Sequence, residues 1–365
     1  MAKHEGGFEG RSEPDSWDMD HEHRVLADIF GIRKEKARRA ESRQKDFIYK
    51  EAKPLKENER ELLARTKTYI DEFFEKKFNQ LGAYAHGDQG TETKGLQFDG
   101  KIGEVSCCSE RRALFNFKTE GKPGEKPDLI VTARRDEQQV GNFKRHYTES
   151  VGPCGLCRDA ISSVNDQARI VQPVGGEVKT VSVSLIYPSR KLLTVESELG
   201  VVDNEYRDLL LAISHDFPIT PNEKRLINQA ERKLESELDS GEDEERILAA
   251  GIGFSGEVYI NSTPKLNRNP QSLVIDKPVE FQLGCKATEN HDQLVALVIV
   301  KGKREGSQQQ VHKVMLPAGH GREFIRQFHP LTNVVVDFGK DGLGKLPIEV
   351  LYPLVYKLRK RKNGN

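Results

Sequence analysis

Four of the five cysteines in this 365-residue chain fall into two tight groups, Cys107-Cys108 and Cys154/Cys157. Cys108 and Cys154 are 46 positions apart. Glu110 follows Cys108 at a two-residue step, and Pro153 opens the run Pro153-Cys154-Gly155-Leu156-Cys157. An odd number of cysteines without an export signal does not read as a disulfide framework, so metal binding or catalysis is the better reading. Cys108, Cys154 and Cys157 are the candidate ligands of one ion, which requires the chain to come back to Cys108 with the start of a helix.

Each residue type has a reason to be there. Two cysteines separated by two residues at a helix start both reach one ion, and the helix N-terminus favours their thiolates. Proline suits that position because its missing N–H is harmless there. Three thiolates and one water make a tetrahedral zinc site with an open position. Zinc makes its bound water acidic enough to ionise near neutral pH. Glu110, close to the ion but not on it, is placed to shuttle the proton. Three thiolates leave the site net negative; Arg111 and Arg158 adjoin the motifs and are candidate hydrogen-bonding partners of the thiolates. A lone Cys-x-x-Cys also fits a redox pair or half a zinc ribbon. The ribbon needs a second such pair, and the redox pair leaves Glu110 unexplained. Cys107 is read as a buried thiol.

Composition sets the frame. Hydrophobic residues make up 36% and charged residues 31%, with a net charge of +0, which argues against binding nucleic acid by bulk charge alone. No run approaches the roughly 20 apolar residues of a membrane span. The polar, acidic N-terminus has no apolar signal-peptide core, so a cytoplasmic location is expected. Residues 1–20 read as a disordered tail and 21–80 as a helical N-terminal region. An α/β unit with strands at Leu129–Arg135 and Lys179–Ile186 covers 81–195. A charged helical linker covers 196–248, and a second α/β unit covers 249–365. The basic run Arg33–Lys45 reads as a solvated helix face, and the tail around Lys357–Lys362 is also basic.

The two α/β units repeat a pattern. Pro153–Ile161 (PCGLCRDAI) aligns with Pro317–Ile325 (PAGHGREFI), and Leu185–Pro188 (LIYP) with Val350–Pro353 (VLYP). The expected order in both is turn, helix, strand, Tyr-Pro. Cys154 is matched by Ala318 and Cys157 by Gly321, neither of which can hold a metal. Cys285 and Glu289 have the wrong spacing to rebuild the first half of the site. His320 and His329 are read as ordinary polar residues. One zinc per chain is expected.

Cys108–Leu114 (CSERRAL), Gly152–Ile161 (GPCGLCRDAI) and the strand ending in LIYP resemble the motifs of the zinc-dependent cytidine deaminase family, over roughly residues 98–190. The resemblance implies Cys108, Cys154 and Cys157 as zinc ligands, Glu110 as proton shuttle and Arg111 as partner to the thiolates. Ser109 and Pro153, inside the motifs, are candidate substrate contacts. The longer members of that family have a helical N-terminal region, a catalytic domain and a degenerate second copy. Their plan implies a duplicated α/β three-layer sandwich with a mixed five-stranded sheet, and a homodimer. The implied reaction is hydrolytic deamination of cytidine or deoxycytidine, as in pyrimidine salvage. The alternative is deamination of cytosine in single-stranded nucleic acid, or of another amino-heterocycle. A zinc-stabilised scaffold without activity has no use for Glu110. The family's ribose-holding Asn-x-Glu is absent, and Glu92 and Glu104 are offered in its place.

Overall fold

The computed structural model describes residues 19–73, 81–99, 106–140, 143–194, 200–240, 245–264, 278–305 and 308–353. Apart from its last two residues, the tail expected over 1–20 lies outside them, as does Lys357–Lys362. Helix α1 (Met19–Glu51), the short strand β1 (Lys53–Pro54) and helix α2 (Glu57–Phe73) come first. Strands β2 (Leu81–Gly87) and β3 (Glu92–Leu96) lead through the paired β4 (Phe98–Asp99) and β5 (Ser106–Cys107) to α3 (Ser109–Glu120). Then come β6 (Pro127–Val140), β7 (Phe143–Ser150), α4 (Gly155–Val164), β8 (Arg169–Val174), β9 (Glu177–Ser182) and the short helices α5 (Val183–Ile186) and α6 (Arg190–Thr194).

Helices α7 (Val201–His215) and α8 (Pro221–Ser240) precede a second series. It runs β10 (Glu245–Gly253), β11 (Val258–Pro264), α9 (Val279–Glu289), β12 (Leu294–Glu305), β13 (Gln308–Val314) and α10 (Gly319–Phe328). It ends with β14 (Asn333–Asp337), β15 (Leu343–Pro347) and the helical turn α11 (Ile348–Leu351). The first sheet is ordered β1-β9-β8-β6-β2-β3 and the second β11-β10-β12-β14-β15, with β7 on β6 and β13 on β12. Among the described strands β6/β8 and β12/β14 pair in parallel and the rest antiparallel, so both sheets are mixed. They hold seven and six strands rather than five, because hairpin partners β7 and β13, and β1 in the first sheet, extend the common order.

Alternation along the strands divides the layers. In β2, Tyr84 faces the α2 side, packing with Leu62, Leu63, Leu129 and Val131. Its neighbours Ala83 and Ala85 face α3, with Ala113, Phe117, Ile130 and Ile161. The second sheet repeats this. Leu226, Ala230, Leu234 and Leu238 recur every four residues on α8 and pack on Leu248, Ala250, Val298 and Val300. Leu283, Ala287 and Ile325 of α9 and α10 cover its other face. The inner helices of both units therefore share one core, and each sheet carries an outer helix.

Three expectations change. The segment Lys179–Ile186 is not one strand: β9 ends at Ser182, and Val183–Ile186 forms a helical turn whose residues are all buried. A segment buried on every side loses the pressure to alternate that a half-solvated strand obeys. The Val350–Pro353 segment changes likewise, its start falling in helix α11 rather than in a strand. The charged stretch 196–248 is more than a linker. Its second helix, α8, is the outer layer of the second sheet, and Glu245–Leu248 already belong to β10. The basic run on α1 behaves as a charged surface face, with Arg39 on Glu35, Lys45 on Glu41 and Arg43 on Asp216.

One buried ion pair fixes α8 at its start. Lys345 Nζ of β15 lies 2.7 and 2.8 Å from the two oxygens of Glu223, and both residues are buried. Glu223 also accepts from Thr220 N at 2.7 Å, closing a capping box at the helix start. Removing one partner strands the other charge, a loss of about 3–5 kcal/mol. Lys345→Met is therefore expected to lose that much in urea unfolding, and a cost near zero would show that the pair is solvated.

Candidate metal and proton-transfer site

The three candidate ligands sit where two helices begin. Cys108 is the N-cap of α3, Cys154 is the N-cap of α4, and Cys157 lies in the first turn of α4. Their sulfurs all fall within 4.8 Å of one another. The Sγ–Sγ distances are 3.7 Å for Cys108–Cys154 and 3.3 Å for Cys154–Cys157. Neither helix has a side-chain cap, so two positive helix ends converge on the sulfurs. Three thiols in a small cluster, with a carboxyl alongside, form a donor set that fits zinc. Cys107 presents only its backbone here, and its side chain lies outside the described residues.

Without an ion the thiols share protons unevenly. Hydrogen bonds from Cys154 and from Cys157 lower Cys108 to about 5, with help from the charge of Arg111. The bond to Cys108 raises Cys154 to about 12, and the same contact pushes Cys157 well above the usual thiol range. Burial and the field of Cys154 raise the Glu110 carboxyl to about 7. Glu110 is only 4% exposed, and Ser109 Oγ donates to its Oε2 at 3.0 Å. Ser109 and Pro153, the candidate substrate contacts, are both buried. The Ser109 hydroxyl is turned onto Glu110, and the Pro153 carbonyl is taken by Arg158.

The two arginines part company. Arg111 is buried on α3, and its charge favours the Cys108 thiolate. Arg158, a candidate donor to the thiolates by its place in the motif, has its located bonds elsewhere. Nε donates to Pro153 O at 3.0 Å, and Nη1 donates to Ile186 O at 3.0 Å and Pro353 O at 2.6 Å. A long side chain in a helix folds back over the turn N-terminal to its own Cα, which carries this guanidinium to the Tyr-Pro turns. Its charge still interacts with Cys154.

The second unit has a counterpart that the sequence alignment does not reveal. Pro278 caps α9 as Cys108 caps α3, so Glu280 takes the place of Glu110. Ala318 caps α10 as Cys154 caps α4. Glu280 Oε1 accepts from Ala318 N at 2.6 Å, and a Cβ on Gly321 would fall onto that carboxylate. The only signal in the sequence is Pro278-Val279-Glu280, with no cysteine to mark it. His329 is structural, accepting from Leu294 N at 3.2 Å through Nδ1 and contacting Gly284 O at 2.9 Å through Nε2. His320 stacks on Phe281 with ring centroids 4.8 Å apart.

Of the two glutamates offered in place of Asn-x-Glu, Glu92 is held by Arg65 at the sheet edge. Glu104 lies outside the described residues. The backbone brings another segment alongside Cys108. β4 pairs with β5, setting Phe98 opposite Cys107 and Asp99 opposite Ser106. Gln97-Phe98-Asp99 thus carries an amide and a carboxyl at the step sought, each changed by one methylene.

No family model matches the chain, and no curated protein matches it. Solved structures similar to part of it include the cytidine deaminase from Bacillus anthracis, with 16% identity, TM-score 0.30, 36% of this chain covered and 88% of that one. Cytidine deaminase from Burkholderia pseudomallei has 18% identity, TM-score 0.28, and coverage of 37% and 98%. Cytidine deaminase from Mycobacterium tuberculosis has 16% identity, TM-score 0.27, and coverage of 35% and 93%.

Two measurements test the geometry. Hydrogen bonds among the three thiols keep protons within the cluster, so binding one ion as thiolates must displace protons. Affinity for Co(II), followed by its thiolate absorption, is expected to rise steeply between pH 6 and 8; a flat profile would remove the thiols as ligands. In the second unit, Glu280→Ala orphans the Ala318 N–H and is expected to cost about 1–3 kcal/mol in thermal unfolding. Glu280→Gln keeps an acceptor and should cost less; equal losses would deny the carboxylate its capping role.

Proposed function

We propose that this chain is a zinc-dependent hydrolase that deaminates cytidine or deoxycytidine to the corresponding uracil nucleoside, with Cys108, Cys154 and Cys157 as metal ligands and Glu110 as proton shuttle. The observation that carries the reading is the Glu110 carboxyl, buried beside three clustered thiols and raised to about 7. A purely structural metal site needs no such group. When bound, zinc supplies Lewis acidity at its open coordination position.

The protein's own residues do the rest. Glu110, poised near neutral pH, accepts a proton from the attacking water and delivers it to the ring nitrogen. It then takes the second proton, from the hydroxyl now on the ring carbon, and gives it to the amine as the C–N bond breaks and the carbonyl forms, so that water is consumed and ammonia released. The Ser109 hydroxyl orients the carboxylate through its Oε2. Arg111 offsets the negative charge of the thiolates. Burial excludes bulk water from the carboxyl and keeps its proton available. The segment Gln97-Phe98-Asp99, whose last two residues pair with β5, is the candidate to hold the sugar. We read the second unit as a copy that has exchanged its metal for Glu280, which leaves one zinc per chain. The sequence resemblance also implies a homodimer.

Ammonia release from cytidine, deoxycytidine, adenosine and a cytosine-containing single strand tests the reading on zinc-loaded protein. Activity on cytidine or deoxycytidine is expected. Glu110→Gln is expected to lower it at least about a hundredfold while zinc content stays unchanged. Full activity in that variant, or release from the strand alone, would overturn the assignment.

A further inference from the structure

The edge of the first sheet carries a second feature, apart from the thiol cluster. Strand β3 ends the sheet, and a cavity of about 590 Å³ opens along it between α2 and α3. Its lining includes Arg65 and Tyr69 from α2, Lys94 from β3, and Arg112 and Asn116 from α3. Tyr69 and Tyr84 meet edge to face, with centroids 5.7 Å apart. Lys94 Nζ lies 4.7 Å from the Tyr69 centroid, and the Arg65 guanidinium lies 5.4 Å from that of Tyr84. Three cations thus surround one aromatic pair, since the charge of Arg112 also acts on the Tyr69 phenol.

Only one of these cations is neutralised. Glu92 pairs with Arg65 through both carboxylate oxygens. Among the described residues, no carboxylate pairs with Lys94 or Arg112, and both side chains are exposed. Glu120 lines the far end of the cavity, one turn beyond Asn116. The Asn116 amide is spent on Lys94 O at 2.8 Å, which holds the β3 edge against α3 and fixes the groove between them. Gly95 allows that approach, because a Cβ there would run into Ser109 O. The groove is therefore built on the same first turns of α3 that carry Glu110.

We propose that this cavity binds a phosphate ester, with Lys94 and Arg112 as its cationic ligands. The planar fork of arginine takes two phosphate oxygens at once, and lysine adds a point charge. The chemistry is shared by a free nucleotide and by the backbone of a nucleic-acid strand. The site is separate from the thiol cluster and does not need the deaminase reading, because occupancy is measured without turnover.

Equilibrium binding to the full chain, using cytidine, cytidine 5′-monophosphate, inorganic phosphate and a short deoxycytidine strand, tests it. The monophosphate is expected to bind at least about tenfold more tightly than cytidine, and Lys94→Gln and Arg112→Gln should each erase most of that difference. Glu92→Gln frees Arg65 and is expected to tighten binding of the phosphate-bearing probes, an outcome that a damaged fold cannot produce. Salt-sensitive binding of the strand alone, lost in the same two variants, supports the site with a polymer as its source. Equal binding of cytidine and its monophosphate together with no binding of the strand overturns the proposal, as does binding of either phosphate probe unaffected by all three substitutions. A chain that deaminates cytidine yet ignores phosphate would retain the proposed reaction and lose only this site.

Discussion

Two buried guanidinium groups hold the two α/β units in register, and the thiol cluster depends on that register. Arg158 reaches from α4 to Pro353 O and lies 4.6 Å from the Tyr352 ring centroid. Arg322 reaches from α10 to Pro188 O at 2.9 Å and lies 4.0 Å from the Tyr187 ring. Each arginine also serves its own unit, through Pro153 and Ile186 for one and Pro317 and Leu351 for the other. Burying a cation costs several kcal/mol unless its donors are met, and here carbonyls and a ring face meet them. Between the arginines the helix starts touch: a Cβ on Gly155 would fall on Gly319 O, and one on Gly319 would fall on Gly155 O. Glu323 of α10 accepts from Gly155 N at 3.1 Å, one residue past Cys154. The second unit thus sets where α4 begins, and with it where two of the three thiols stand.

The same electrostatic demand is met twice by different chemistry. In each unit two helix N-termini point at one spot, and their positive ends call for negative charge there. The first unit answers with three sulfurs. The second answers with the Glu280 carboxylate, which bonds Ala318 N and fills the space above Gly321. Alanine and glycine at those positions are what a carboxylate needs in order to reach the backbone. A glutamate two residues past the N-cap of the first inner helix is common to both units, able to act where sulfurs surround it and immobilised as a cap where they do not.

The sequence made the chemistry more legible than the packing. Cys108, Glu110, Cys154 and Cys157 stand at fixed steps, and they come together in space because both short motifs are helix starts. The Pro-x-Gly-x-Gly run of 317–321 can be aligned for the same reason. Glu280 cannot, because a cap needs only a carboxylate and Pro278 carries no trace of a ligand. The turn at Val183–Ile186 stays hidden because Val, Leu and Ile suit a buried strand as well as a buried helix. Arg158 reads as a partner for the thiolates because it follows Cys157 directly. It also reaches the carbonyls of Ile186 and Pro353, 28 and 195 positions away, and no local pattern announces them.

The charge around Glu110 explains why its neighbours matter. Three thiolates with one divalent ion carry a net negative charge, and an ionised Glu110 beside them would add another in a largely buried space. Burial and the Cys154 field already hold the carboxyl near 7, so it keeps its proton about half the time at neutral pH. Arg111, Arg158 and the two helix ends pull the other way, stabilising negative charge on the sulfurs. A carboxyl in a polar, solvated setting would be a weak base that gives no proton back. One buried without hydrogen-bond donors would hold its proton far more tightly. Burial set against the hydrogen bonds from its own backbone, Ser109 and Cys157 is what leaves Glu110 able to do both.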